Sequence, residues 1–357
     1  MSGRNKNWEL TLAAPEDSPG MQKVFDDGDF DGDISVRFSR APDPFGSFQN
    51  DGDHVVMPVV KEAATGDILG LGGCVIRRAY VNGEIKNTGY LTGLKILRSH
   101  QGKLNCIWQA YDMIAENCAR FNPIYYTTIL ESNEPAIKML ERPRKYMPSY
   151  IFLGMYTVFC LGTGGRMRGD RYGLKRGHSP QLSEFYAEHL PKYNLAPANE
   201  VLYGLSGDDF YCLQSPAGEI LAACAVWNQQ SYKQYLISGY KGVYKAMSHL
   251  PTRFLGYPRM PKAGSAANYA SIASLVVPEE NRNVAVPFLK LVQSEAREYD
   301  FVLLGLFENH HLAEEATKLR HFKYRSRLYA VDYEKSEEER LRTGLIERPI
   351  LLEAGML

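Results

Sequence analysis

Residues 94–106 read Leu94-Lys95-Ile96-Leu97-Arg98-Ser99-His100-Gln101-Gly102-Lys103-Leu104-Asn105-Cys106. The stretch closes a strand expected over Lys86–Leu97 and opens a helix. From Leu104 the apolar residues Leu104, Ile107, Trp108, Tyr111, Ile114, Ala115 and Cys118 fall on one face of a 3.6-residue period. A turn with a small residue at a helix start presents backbone N–H groups at the positive end of the helix dipole, which suits a pyrophosphate. Two more strands precede it, His54–Val60 and Asp67–Tyr80, with Gly66 and the hairpin pair Asn82-Gly83 in the turns. Behind it lie a buried strand, Ile124–Leu130, a helix capped by Asn133 and ending near Glu141, and a strand at Tyr150–Phe159.

The same order returns further along. A strand at Tyr269–Val277, a helix from Val284 to Glu298, a buried strand at Phe301–Phe307, a helix opened by Asn309 and a closing strand at Leu328–Val331 repeat it. Glu131-Ser132-Asn133 is echoed by Glu308-Asn309, about 177 residues on, as two copies of one fold require. The sequence thus divides into 1–161, a glycine- and arginine-rich link at 162–177, a second copy at 178–333 and a charged terminal segment at 334–357. The link reads GTGGRMRGDRYGLKRG; it suits a solvated loop or, alternatively, a segment touching phosphates.

The first copy resembles a GCN5-related N-acetyltransferase (GNAT) domain, over roughly residues 8–160 and more loosely 195–333. Such proteins carry Arg/Gln-x-x-Gly-x-Gly/Ala at the head of a long helix. Gln101 stands at the Arg/Gln position, Gly102 and Lys103 fill the pair, Leu104 stands at the first glycine and Cys106 at the Gly/Ala position. Asn133 and Ala136 match a later Asn-x-x-Ala signature, and Phe38–Asp43 lies where substrate-shaping helices are placed. The resemblance implies an α/β (α+β) fold: two tandem GNAT-like domains, each a mixed, mostly antiparallel sheet flanked by helices. It implies that the strand before the loop splays from its neighbour and pairs pantetheine on Ile96 and Leu97. The pyrophosphate of acetyl-CoA, or another acyl-CoA co-substrate, would rest on the amides of Gln101, Gly102, Lys103, Leu104, Asn105 and Cys106, with Asn133 and Ala136 beside the pantetheine arm. The activity implied is N-acyl transfer, acetyl first, to a primary amine of a small molecule or peptide. The alternatives are a scaffold without turnover and an aminoacyl-tRNA-dependent transferase.

Three departures stand out. Leu104 replaces a glycine, Leu140 replaces the tyrosine that commonly protonates the leaving thiolate, and Tyr90–Leu97 holds no carboxylate base. Glu131, Tyr146 and His100 are the catalytic candidates, as a base, a proton donor and a base or phosphate contact respectively. The second copy has Pro278–Ala285 at the loop position, without glycine, and is expected to bind no cofactor and to wall the acceptor pocket.

The remaining features exclude other classes. Forty-one basic and 41 acidic residues give net charge zero, against the basic excess of a dedicated nucleic-acid binder. No apolar run spans a bilayer and no signal peptide is evident, so a cytoplasmic protein without a membrane partner is expected; a homo-oligomer is compatible. The six cysteines lack metal or disulfide spacing, and His310-His311 lacks partner ligands, so no metal is expected. Asp27–Ile34 matches the front of an EF-hand loop, but Phe38 stands where the bidentate glutamate belongs; a solvated acidic turn and a lip steering cationic amines are the other readings.

Overall fold

A computed structural model describes residues 7–164, 173–335 and 338–357. Half of the link at 162–177, residues 165–172, lies outside the described residues. The strands are β1 (Trp8–Leu12), β2 (Ile34–Ser39), β3 (His54–Val56), β4 (Pro58–Glu62), β5 (Ile68–Val81), β6 (Glu84–Ile96), β7 (Ile124–Leu130), β8 (Ser149–Gly162), β9 (Leu174–Arg176), β10 (Phe210–Gln214), β11 (Ile220–Trp227), β12 (Gln234–Tyr240), β13 (Ser265–Ala266), β14 (Tyr269–Val276), β15 (Phe301–Phe307) and β16 (His321–Asp332). The helices are α1 (Ser18–Asp26), α2 (Pro44–Gln49), α3 (Ile107–Cys118), α4 (Glu134–Leu140), α5 (Pro180–His189), α6 (Gly242–Met247), α7 (Ala285–Glu295), α8 (Ala313–Thr317) and α9 (Glu338–Ile346).

One mostly antiparallel sheet runs through the molecule in the order β1-β4-β5-β6-β7-β16-β8-β15-β14-β11-β10-β9. The β5–β6 turn uses Asn82 and Gly83 at φ 55° and 86°, the backbone a two-residue hairpin demands. Among the described residues, the parallel pairs of this sheet are β6–β7 and β14–β15, one in each half. The halves exchange their last strands. β16, from the end of the chain, pairs with β7 of the first half, and β8, from the first half, pairs with β15 of the second.

Several expectations shift. The strand expected at Leu328–Val331 is twelve residues long and central, because its apolar residues meet both halves. The helix expected from Leu104 begins at Ile107, since Leu104 is drawn into an apolar cluster with Trp8, Leu10 and Leu97. Asn309 opens no helix. Its side chain donates to the carbonyls of Ile346 and Arg348 and accepts from Ile350 N–H, strapping the C-terminal segment to the sheet. That segment is not a solvated tail: Ile350, Leu351, Leu352, Glu353 and Ala354 are buried. The six cysteines form no disulfide.

Candidate active site

β6 and β7 pair at Thr88↔Ile124, Gly89↔Tyr125 and Tyr90↔Tyr126, and there the register stops. The strands then open like a V. Two threonines sit at its apex: Thr127 Oγ1 donates to Leu91 O at 2.7 Å, and Thr128 Oγ1 lies 2.8 Å from Tyr90 Oη. On its other side β6 stays paired to β5, but with Thr92 opposite Gly73 and Lys95 opposite Leu71, so one extra residue is inserted at Gly93–Leu94. Gly93 carries it at φ +70°, where a Cβ would meet Phe48 at 3.3 Å. A bulge re-aims backbone groups.

The two backbone positions expected to pair pantetheine are already engaged. Leu97 N–H donates to Leu69 O at 2.9 Å, and Leu97 O accepts from His100 N–H at 2.8 Å. Ile96 O accepts from Gln101 Nε2 at 3.3 Å.

The loop after β6 is partly self-satisfied. Gln101 N–H reaches Arg98 O and Lys103 N–H reaches His100 O, while Arg98 N–H donates to Asp27 Oδ2. Gly102, Leu104 and Asn105 supply the loop amides outside that set. Helix α3 starts behind Cys106, whose side chain makes no capping bond, and no acidic residue stands in its first turn. The first-turn N–H groups lie at the positive end of a twelve-residue helix, five residues after Gly102, which is exposed at φ +75° with open space around it. Leu104 does not obstruct this. Its side chain joins the cluster with Leu97 and buried Cys106, away from the exposed loop residues Gln101, Gly102, Lys103 and Asn105.

The other candidates separate. Asn133 caps α4 through Ala136 N–H at 3.4 Å, a local role for both residues. Leu140 is buried beside Ile114 and Ile137. Glu131 ends β7, but both its oxygens are held by Arg325, at 2.8 and 2.6 Å. Tyr146 is 66% exposed, its ring 6.2 Å from that of Trp108 and tilted to it, and it lines a cleft of about 230 Å³ with Tyr111 and Asp112 of α3 and with Lys145. His100 lies on the loop with Nδ1 2.9 Å from Ser99 Oγ. Asp27 and Asp29 are committed to Arg98 and Arg37, so the acidic turn braces the loop.

The second half repeats the geometry. β14 and β15 pair over Tyr269–Ser271 and then part. Ala225↔Ala273 and Ala223↔Val276 place the extra residue at Ser274–Leu275. Ser274 sits at φ +49°. Counting from the first parallel pair, Ser274 is the counterpart of Gly93. Its N–H donates to Glu353 Oε1 at 2.8 Å, and Ala354–Met356 lies against β14 and β15. This opening is thus filled by the chain itself. Burial pushes the Glu353 carboxyl up to about 7, with the Ser274 N–H opposing.

Buried charges tie that segment to the first half. Asp51 binds Arg40 at 2.6 Å and Lys233 at 2.8 Å; Lys233 donates to Gly355 O, and Arg77 donates to Met356 O and to Tyr126 Oη beside the apex. Burial pulls Lys233 down to about 7 against the attraction of Asp51. For Asp51 itself, burial acts upward but Arg40, Lys233 and Arg77 outweigh it and hold the carboxyl low. Sequence reasoning missed this cluster, Gly93 and Ser274. A glycine inside a strand was the available signal for the bulge.

The fold so defined is that of the GCN5-related N-acetyltransferases. Solved structures similar to this chain include Saccharomyces cerevisiae N-myristoyltransferase with bound myristoyl-CoA, with TM-score 0.58 at 9% identity over 92% of this chain and 84% of that one. A GCN5-related N-acetyltransferase from Sphaerobacter thermophilus matches with TM-score 0.50 at 13% identity, over 91% and 95%. A GCN5-related glucosamine N-acetyltransferase region of a fungal multi-domain β-N-acetylglucosaminidase matches with TM-score 0.55 at 13% identity, over 90% of this chain and 38% of that one. No family model and no curated protein matches the sequence.

Proposed function

We propose that the chain is an acyl-CoA-dependent N-acyltransferase with one working slot, the opening between β6 and β7. The observation that carries this reading is the equivalence of Gly93 and Ser274. In the second half, the bulge amide grips a carboxylate oxygen at 2.8 Å. Its counterpart in the first half faces an opening with the same backbone geometry, and a thioester carbonyl oxygen is the matching ligand. The N–H of Gly93 would then polarise the carbonyl and stabilise the oxyanion as a primary amine attacks the carbon. The tetrahedral centre collapses with cleavage of the C–S bond, and the amine's proton is lost as the thiolate is protonated. The loop amides at Gly102, Leu104 and Asn105 with the α3 terminus hold the pyrophosphate, and Lys103 adds a cation. The neighbours named above include a myristoyl and two acetyl enzymes, so acetyl-CoA is the first donor to try, against longer chains.

The test combines calorimetry with acyl-CoAs of graded length and thiol release with a panel of primary amines. Lys103→Glu should weaken acyl-CoA binding about tenfold, more at low salt. Gly93→Ala should lower kcat about 10- to 100-fold with little change in donor affinity, because the positive φ resists a Cβ and the donor is displaced. A well-folded protein that binds no acyl-CoA overturns the reading. Donor binding without thiol release would favour the scaffold reading, which buried Leu140 and the Arg325-paired Glu131 support.

A further inference from the structure

The chain as a whole is neutral, but its charge is not evenly spread. No Asp or Glu occurs between Glu219 and Glu279. Within that stretch, residues 241–262 carry Lys241, Lys245, Arg253, Arg259 and Lys262. They form a lobe made of α6, a second short helical turn (Thr252–Leu255) and the proline-containing run up to β13.

The lobe has an inner and an outer side. Tyr244 and Tyr257 turn inward onto Phe322 of β16, with ring centres at 5.5 and 5.7 Å. Arg320 fastens it from below through Leu255 O. On α6 and the turn that follows, Val243, Met247 and Leu250 are spaced i, i+4 and i+7, one stripe at 100° per residue, with Val243 and Leu250 exposed and Met247 half-buried between them. Val243 is 65% exposed, and Leu250 and Leu255 56% each. Lys245 and Lys262 are exposed beside them. Lys241 meets Asp31 at 3.8 Å and Arg259 meets Asp300 at 3.4 Å, so part of the charge is answered locally and the rest faces out.

We infer that this lobe docks the protein on an anionic lipid bilayer surface. Exposed aliphatic side chains ringed by cations, on an element already anchored from behind, are what interfacial binding uses: the apolar tips enter the headgroup boundary and the cations meet anionic lipid. A single-stranded nucleic acid would need rings to stack on, and the tyrosines Tyr244 and Tyr257 are turned inward. The expectation of no membrane partner rested on the lack of a spanning segment, which peripheral docking does not require. The inference is independent of the acyl-transfer reading.

The test is co-sedimentation of the full chain with vesicles of phosphatidylcholine alone or with about one third phosphatidylserine, at low and high salt. Binding should need phosphatidylserine and weaken with salt. Lys245→Gln with Lys262→Gln should reduce it about 30-fold, and Val243→Asp with Leu250→Asp should abolish it, with unfolding midpoints and acyl-CoA affinity unchanged. Equal sedimentation with both vesicle types overturns the inference. So does binding that survives both double variants, and so does association confined to RNA or to a second copy of the chain.

Discussion

At Leu104 a side chain replaces the glycine that the resemblance led one to expect; the proposed pyrophosphate site calls only for backbone N–H groups there. The leucine instead anchors the turn in the cluster with Leu97 and Cys106. Glu353 is the opposite case, a polar group spent on internal structure. Its carboxyl titrates at about 7 in the folded chain against an ordinary value of 4.5. Between those values the folded state holds a proton that the unfolded state has released. Glu353 therefore contributes stability at low pH that is lost as pH rises through about 7. Lys233, titrating at about 7 rather than 10.5, acts with the opposite sign above that pH, since the unfolded chain then holds the extra proton. Comparison of Glu353→Gln with wild type isolates the glutamate, because glutamine keeps the acceptor for Ser274 N–H. The variant should match wild type near pH 4 and exceed it by about 2–3 kcal/mol at pH 8 in denaturant unfolding. Parallel stability–pH curves would show that Glu353 is not buried as described.

Among the elements, those with an unbroken period were legible. Phe301–Phe307 is buried on both faces and Ile124–Leu130 is buried or half-buried along its length, so neither run shows a polar alternation to misread, and both form strands over those residues. The Asn133 cap was legible because it is a local hydrogen bond. What failed was set by distant residues. Asn309 looks like a helix cap, but its amide is used by Ile346, Arg348 and Ile350. The role of Glu131 likewise depended on β16, which brings Arg325 to it from 194 positions away. As a partner in an exposed ion pair rather than a base, Glu131 should be dispensable for chemistry. Glu131→Gln should keep kcat within about threefold, leave its pH profile in place, and cost at most about 1 kcal/mol of stability. A kcat loss of a hundredfold with a shifted pH profile would restore Glu131 as the general base.

For the whole molecule, the exchange of β8 and β16 decides how the halves behave. A boundary drawn at 161 cuts between a strand of the first half and the sheet of the second that it completes, since β8 spans Ser149–Gly162 and pairs with β15 over all seven residues of that strand. Neither half can lose its partner without exposing strand edges and the buried Arg40–Asp51–Lys233 cluster, which joins the segments on either side of α2 and the residue before β12 to the C-terminal segment. Unpaired buried charge is strongly destabilising when one partner is removed. Heating should therefore give one cooperative transition, with calorimetric and van't Hoff enthalpies in agreement, rather than the two transitions expected of independent GNAT domains. The same wiring fixes the ligand count. Because Glu353 and the Ala354–Met356 turn occupy the second opening, acyl-CoA should titrate to one site per chain, and Ser274→Pro should disturb stability while leaving that single site. Two donor sites of similar affinity would mean that the C-terminal segment leaves its slot in solution, and the equivalence of Gly93 and Ser274 would then describe two working centres instead of one.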